Sequence, residues 1–127
     1  MRLEFLPDGS EARPLVRLYD FTAQEARDLR KLLERLAEEK DQAVALHKLP
    51  WIQAIDCGLT LKVGKSNTGI RRAPKPTELE CVLRPAGWEG AVGLVEPFGL
   101  DESANAGYQW LDESGDVRLL ISRDGAW

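Results

Sequence analysis

Apolar and polar residues recur with two different periods along this chain, and each period predicts a different element. Between Thr22 and Lys40, leucines and alanines return every three or four residues, with charged side chains between them and no glycine or proline. This spacing places the apolar side chains on one stripe of an amphipathic α-helix. Thr22 followed by Glu25 is a capping-box sequence, which predicts where the helix begins. We therefore predict one principal helix over residues 22–40.

Strict alternation of apolar and polar residues predicts strands that are buried on one face. It occurs over residues 59–63 and 79–83. We expect these two strands to pair in antiparallel fashion, with Lys62 facing glutamates across the ladder. Near each end of the chain, two apolar runs flank a turn sequence, which predicts a β-hairpin. The turns are Pro7-Asp8-Gly9 and Glu113-Ser114-Gly115-Asp116.

Together these elements predict an α+β fold with a mostly antiparallel sheet of about six strands and the principal helix packed on one face. Residues 87–98 have apolar residues at helical spacing but also glycines that weaken a helix, so we expect a short helix or a turn there. No βαβ alternation is visible, which argues against a doubly wound nucleotide-binding fold. A length of 127 residues favours a single domain spanning residues 1–127.

Composition narrows the class of protein without identifying a function. Apolar residues make up 43% of the chain and charged residues 30%, as in ordinary globular domains, and the net charge is −4. That charge disfavours nonspecific binding to nucleic acids or anionic membranes. No apolar run is long enough to span a membrane, and the first residues lack the apolar core of a secretory signal. Cys57 and Cys81 are too few for a disulfide framework or a four-thiolate metal site. We expect a cytoplasmic protein with no membrane contact, no cofactor and no metal.

The stretch that most resembles a binding element is GKSNTGIRRAPKP, residues 64–76. No acid lies between Asp56 and Glu78. We call residues 62–75 the basic segment. Since the whole chain carries −4 and this segment +5, the remainder carries −9. The cations of the segment are Lys62, Lys65, Arg71, Arg72 and Lys75.

The basic segment is not a phosphate-binding P-loop. Gly64 and Gly69 have the right spacing, but Ile70 and Arg71 stand where Lys and Ser or Thr are required, and the prolines that follow prevent a helix. Arg71 and Arg72 could instead fork onto a carboxylate or a phosphate. The simpler interpretation is a solvated loop, where cations usually lie. No aromatic residue is interleaved with the cations, which argues against single-stranded nucleic acid as a partner.

Catalytic candidates are few. Cys57 and His47, with Asp56 to orient the imidazole, could form a nucleophilic pair, but a buried thiol acts as a small apolar group. The acid pairs Asp101-Glu102 and Asp112-Glu113 could act as general acid and base, but turn acids are usually solvated.

Trp51 and Trp127 are candidate partner contacts, because exposed aromatic residues anchor many protein interfaces. The leading hypothesis is a non-catalytic domain that binds a protein partner or associates with itself, through the basic segment and these aromatics. The alternative is an anion, phosphate or nucleic-acid binding module that uses the five cations of the basic segment. The third hypothesis is a small enzyme with a Cys/His or carboxylate centre.

Overall fold

The computed structural model describes residues 1–10, 13–72, 74–100 and 107–127. Strands and α-helices alternate irregularly along these ranges. The strands are β1 (Arg2–Ser10), β2 (Arg13–Tyr19), β3 (Ala43–Ala45), β4 (Gln53–Ile55), β5 (Leu59–Val63), β6 (Gly69–Ile70), β7 (Leu79–Leu83), β8 (Tyr108–Asp112) and β9 (Arg118–Ser122). The α-helices are α1 (Ala23–Ala37) and α2 (Pro85–Val95), and short 3-10 turns cover Leu46–Lys48, Pro76–Glu78 and Glu96–Gly99.

The principal helix forms where its sequence predicts it. The Glu25 amide donates to the Thr22 hydroxyl at 3.1 Å, and the Glu25 carboxylate accepts from the Thr22 amide at 3.0 Å. These two bonds are the predicted capping box. The buried stripe of α1 consists of Ala26, Leu29, Leu33 and Leu36.

Both predicted hairpins are present in a five-stranded sheet with the order β4-β1-β2-β9-β8. The pairs β1–β2 and β8–β9 are antiparallel, as predicted. Residues 113–116 lie between β8 and β9, where the sequence predicts a turn. The predicted turn at Pro7-Asp8-Gly9 is wrong, because these residues belong to β1 and pairing with β2 continues to Ser10. The other two contacts, β1–β4 and β2–β9, are parallel. Strands β2 and β9 therefore join two hairpins that are distant in sequence. The local pattern of apolar and polar residues does not encode this pairing.

Strands β5 and β7 pair as predicted, but they run parallel, so the prediction of an antiparallel ladder is wrong. Residues 64–78 cross over between them, and a connection of this length allows a parallel pair. The crossover itself contributes β6, which pairs antiparallel with β7. The second sheet consequently has the order β3-β5-β7-β6. The predicted cross-strand contact does form, as an ion pair between Lys62 and Glu80.

The fold class is thus confirmed only in part: helices and sheets are mixed, but the described residues form two sheets of mixed direction rather than one mostly antiparallel sheet. They also form two α-helices, and α1 packs mainly against α2 rather than on one sheet face, because α2 covers its apolar stripe. A bridge between Ile70 and Val117 joins them. The second helix, α2, arises because Pro85 suits a first helical turn and Trp88, Ala91 and Val95 share one buried face. Residues 87–98 are therefore helical up to Val95, in line with the expected short helix.

The buried apolar residues form a cluster that spans both sheets and both helices. Helix α1 packs mainly against α2 and the 3-10 turn after it. The Trp88 indole donates to the Lys62 carbonyl at 2.9 Å and so ties α2 to β5. Neither α1 nor α2 is long and apolar enough to cross a membrane, and no other described stretch is such a helix.

Candidate functional site

The basic segment is bound to the rest of the molecule through its main chain. The Gly64 amide donates to the Leu83 carbonyl at 3.0 Å, and the Thr68 amide donates to the Val82 carbonyl at 3.1 Å. Farther along, the Ile70 carbonyl accepts from the Val117 amide at 2.9 Å. Residues 64–70 of the segment therefore lie between β7 and the β8–β9 turn, which places the arginines directly after them.

Gly69 and Ile70 explain why this path is followed. Ile70 is completely buried in the core cluster. Gly69 has φ +62°, and a Cβ on it would collide with the side chains of Asp112 and Ser114. Only glycine fits such a backbone at such a close approach without strain. The short β6 strand thus places Arg71 directly after a buried anchor.

Arg71 and Arg72 line the same depression, of about 300 Å³, on the outer face of the four-stranded sheet. We call it the basic concavity. Both arginines are exposed, and Lys62 shares the depression with them. Lys65 and Lys75 are exposed and are not among its lining residues. Three of the five predicted cations are therefore brought together, and two are not. The other lining residues are Thr68, Gly69, Glu78, Glu80 and Val82.

The charges of the basic concavity are unevenly distributed. The Lys62 ammonium is paired with the Glu80 carboxylate. Arg71 and Arg72 have no ion pair with any residue that the structure describes. The Arg72 amide, in contrast, donates to the Asp116 carboxylate at 3.2 Å, which fixes its backbone and leaves the guanidinium available. The available positive charge is thus concentrated at the two arginines.

A second, more polar depression of about 330 Å³ adjoins the basic concavity and shares Thr68 and Arg71 with it. Its remaining residues are Asn67, Ser114, Gly115 and Asp116. Asn67 lies in the stretch 64–76 that the sequence singled out. Sequence reasoning missed the other three residues, because nothing in the β8–β9 turn indicates that it meets the basic segment. The sequence indicated only that these residues form a turn, and a turn by itself does not predict a binding site.

His47 and Cys57 are not joined by any hydrogen bond in the described structure. The imidazole Nδ1 of His47 accepts from the Leu59 amide at 3.1 Å. The Cys57 thiol contacts the Leu3 carbonyl at 3.6 Å. Burial raises the pKa of both Cys57 and Cys81, which keeps the thiols protonated near neutral pH. His47 therefore holds the backbone of Leu59 in place, and it does not activate the Cys57 thiol as a nucleophile.

Of the two acid pairs considered as general acid and base, the structure describes only one. Asp101-Glu102 lies outside the described residues. The Asp112 carboxylate accepts from the Ser114 hydroxyl at 2.6 Å, and Glu113 lies 3.7 Å from Arg118. Among the described residues, no group of three or more His, Cys, Asp or Glu side chains could hold a metal ion.

The two tryptophans proposed as partner contacts differ in exposure. Trp51 is partly buried and packs against the core, whereas Trp127 is 40% exposed. The chain before Trp127 is tied down, since the Ser122 hydroxyl donates to the Ala126 carbonyl at 2.5 Å and Arg17 donates to the Gly125 carbonyl at 2.8 Å. A contact role for either tryptophan stays a prediction.

Comparison of the chain with protein-family models, with curated proteins and with solved structures finds no match. Function must therefore be argued from the geometry of the basic concavity.

Proposed function

We propose that this protein is a non-catalytic binding domain whose basic concavity recognises an acidic segment of another protein. The observation that carries the proposal is the placement of Arg71 and Arg72 side by side on one depression, without an ion pair to any described residue. Exposed cations are common at protein surfaces, but two adjacent arginines that directly follow a buried strand favour binding of an anionic group.

The chemistry of arginine favours a carboxylate partner. A guanidinium presents its donors in a planar fork that matches two carboxylate oxygens. Hydrogen bonds to charged groups contribute about 1.5–3 kcal/mol each, roughly twice the value for neutral pairs. Because β6 and the Arg72–Asp116 bond hold the backbone in place, less conformational entropy is lost when a partner binds.

The acids near the arginines favour a peptide over a polyanion. Glu78 and Glu80 line the basic concavity, and Asp116 lines the adjoining polar depression. A nucleic acid or heparin chain would bring phosphates or sulfates close to these carboxylates. No aromatic side chain lines either depression, so stacking with bases is not available. A peptide with one or two acids can engage the arginines and avoid the repulsion.

A small phosphate-bearing molecule is the second candidate. The observation that favours it is the polar depression, where the Thr68 and Ser114 side chains lie with Arg71. The Thr68 hydroxyl beside a guanidinium suits phosphate oxygens, whereas the Ser114 hydroxyl already donates to the Asp112 carboxylate. Asp116 on the same depression counts against a highly charged phosphate.

The test is the affinity of a fluorescent Gly-Ser peptide with a central Asp-Glu pair, measured by anisotropy for the parent protein and for Arg71→Ala/Arg72→Ala. We expect the double variant to bind at least about tenfold more weakly, since each arginine contributes a charge-assisted hydrogen bond. The matched control is Lys31→Ala/Lys48→Ala, which removes the same charge from two exposed lysines outside the basic segment.

Equal affinity of the parent and the arginine variant would contradict the proposal, as would the absence of binding to any acidic peptide. Inorganic phosphate and heparin serve as competing probes. Arginine-dependent binding to phosphate, without binding to the acidic peptide, would replace the proposal with the second candidate.

A further inference from the structure

An apolar pocket shares Arg72 with the basic concavity. Its volume is about 130 Å³, which is on the scale of one large side chain. Leu79 and Val117 are buried, and Phe5 is partly buried against the core. The lining residues are Phe5, Pro7, Pro14, Pro76, Leu79 and Val117, together with Arg72.

The walls of this pocket suit an apolar group. Three of the lining residues are prolines, which have no backbone N–H to donate, and the others apart from Arg72 carry only hydrocarbon side chains. Among the lining side chains Arg72 alone can form hydrogen bonds, so a polar group that entered away from Arg72 would lose its hydrogen bonds to water and find no side-chain partner. An aliphatic or aromatic side chain has no hydrogen bonds to lose, and its transfer from water into the pocket is favourable.

Arg72 connects the apolar pocket with the basic concavity, because its side chain lines both. A ligand that places an apolar side chain in the pocket can therefore bring a neighbouring residue beside Arg72, and Arg71 lies on the same basic concavity. Charge complementarity then requires an acid in that neighbouring position. The geometry points to one composite site with an apolar part and a cationic part.

We propose that the acidic partner segment carries an apolar side chain next to its acid, and that this side chain inserts into the pocket beside Arg72. The inference rests on the proposed function, since it specifies which acidic segments bind. The occupant is a short stretch of another protein in which a residue such as leucine, methionine or phenylalanine lies close to Asp or Glu. This combination would separate true partners from segments that are merely acidic.

The experiment compares two peptide sets that share the Gly-Ser scaffold and the Asp-Glu pair. In one set a leucine is placed at successive positions on either side of the acids, and in the other a glycine occupies the same positions. We expect leucine at one preferred spacing to tighten binding by about tenfold or more relative to glycine, from burial of an apolar side chain. Replacing the acids with serine should abolish this binding.

A protein variant locates the contact. Pro7 is exposed at the pocket, so Pro7→Trp should cover the opening without disturbing the core. The control is Pro50→Trp, an exposed proline that does not line the pocket. We expect Pro7→Trp to remove the advantage of leucine and to leave the affinity for the glycine peptide unchanged. Pro50→Trp should change neither affinity.

The outcomes separate this inference from the proposed function. If leucine and glycine peptides bind equally at every spacing, and both bind more weakly to Arg71→Ala/Arg72→Ala, the apolar pocket is not used but acid recognition stands. If neither set binds, both proposals fail. A leucine advantage that survives in Pro7→Trp, or that persists without the acids, overturns the composite site. The peptide comparison uses the unmodified protein, so it remains decisive if Pro7→Trp does not fold.

Discussion

Helix α1 and the basic segment contact the same core, but different interactions hold them there. The apolar stripe of α1 is buried along its whole length, from Ala26 to Leu36. The basic segment has one large buried side chain, Ile70, and otherwise depends on main-chain hydrogen bonds to β7 and to the residue before β9. Burial over many residues makes a helix that its own sequence predicts. A segment held by partners from elsewhere in the chain is invisible to local patterns and leaves its side chains available for binding.

The largest expected effect is loss of stability from a cavity under α1. Leu33 is 1% exposed, and Leu33→Ala should lower the free energy of unfolding by about 2–5 kcal/mol. Leu32→Ala is the matched control, since Leu32 is only partly buried and should cost less. Urea titration measures both values. Equal losses for the two variants would mean that the stripe of α1 does not face the core as described.

The next effect tests the backbone of the basic segment. Gly69→Ala should cost about 1–3 kcal/mol, because alanine is strained at positive φ and its Cβ would collide with Asp112 and Ser114. Gly93 is the matched glycine in α2, where an added Cβ meets nothing within 4 Å. Gly93→Ala should instead stabilise by about 0.5–1 kcal/mol, since alanine favours a helix. The same sign for both substitutions would contradict the described path of β6.

The smallest effect is a pH dependence at the end of α1. A hydrogen bond from Arg35 holds the pKa of Asp41 below its ordinary value of 3.8, with Arg35 Nε at 2.7 Å from the carboxylate. A lowered folded-state pKa means that the stabilisation is complete above the unfolded pKa and is lost as the pH falls through the folded value. Thermal melting of the parent and Asp41→Asn should therefore differ near neutral pH and converge below about pH 4. A difference that grows on acidification would contradict the ion pair.

Local features of the sequence were sufficient for some of the elements but not for their arrangement. The capping box at Thr22, the stripe of α1 and the turn residues of the second hairpin act over a few positions, so they could be read directly. Pro7-Asp8-Gly9 was misread as a turn, because pairing with β2 keeps these residues in β1. The parallel direction of β5 and β7 could not, because alternation buries one face equally well in either direction. For the candidate site, the cations were visible, but their grouping was not: Lys65 and Lys75 lie apart from Arg71 and Arg72.

The sequence by itself determined where α1, β5, β7 and the β8–β9 hairpin form and that one segment is strongly basic, because propensity, period and charge are properties of neighbouring residues. It did not determine β6, which forms inside a segment that was expected to be a loop. Only the tertiary structure decided that Ile70 is buried where a bridge joins the two sheets, that the β8–β9 turn meets the basic segment, and that Arg72 lines both the basic concavity and the apolar pocket. Those arrangements depend on hydrogen bonds and packing between residues far apart in the chain, such as Ile70 with Val117. No single stretch carries the information for contacts of that kind.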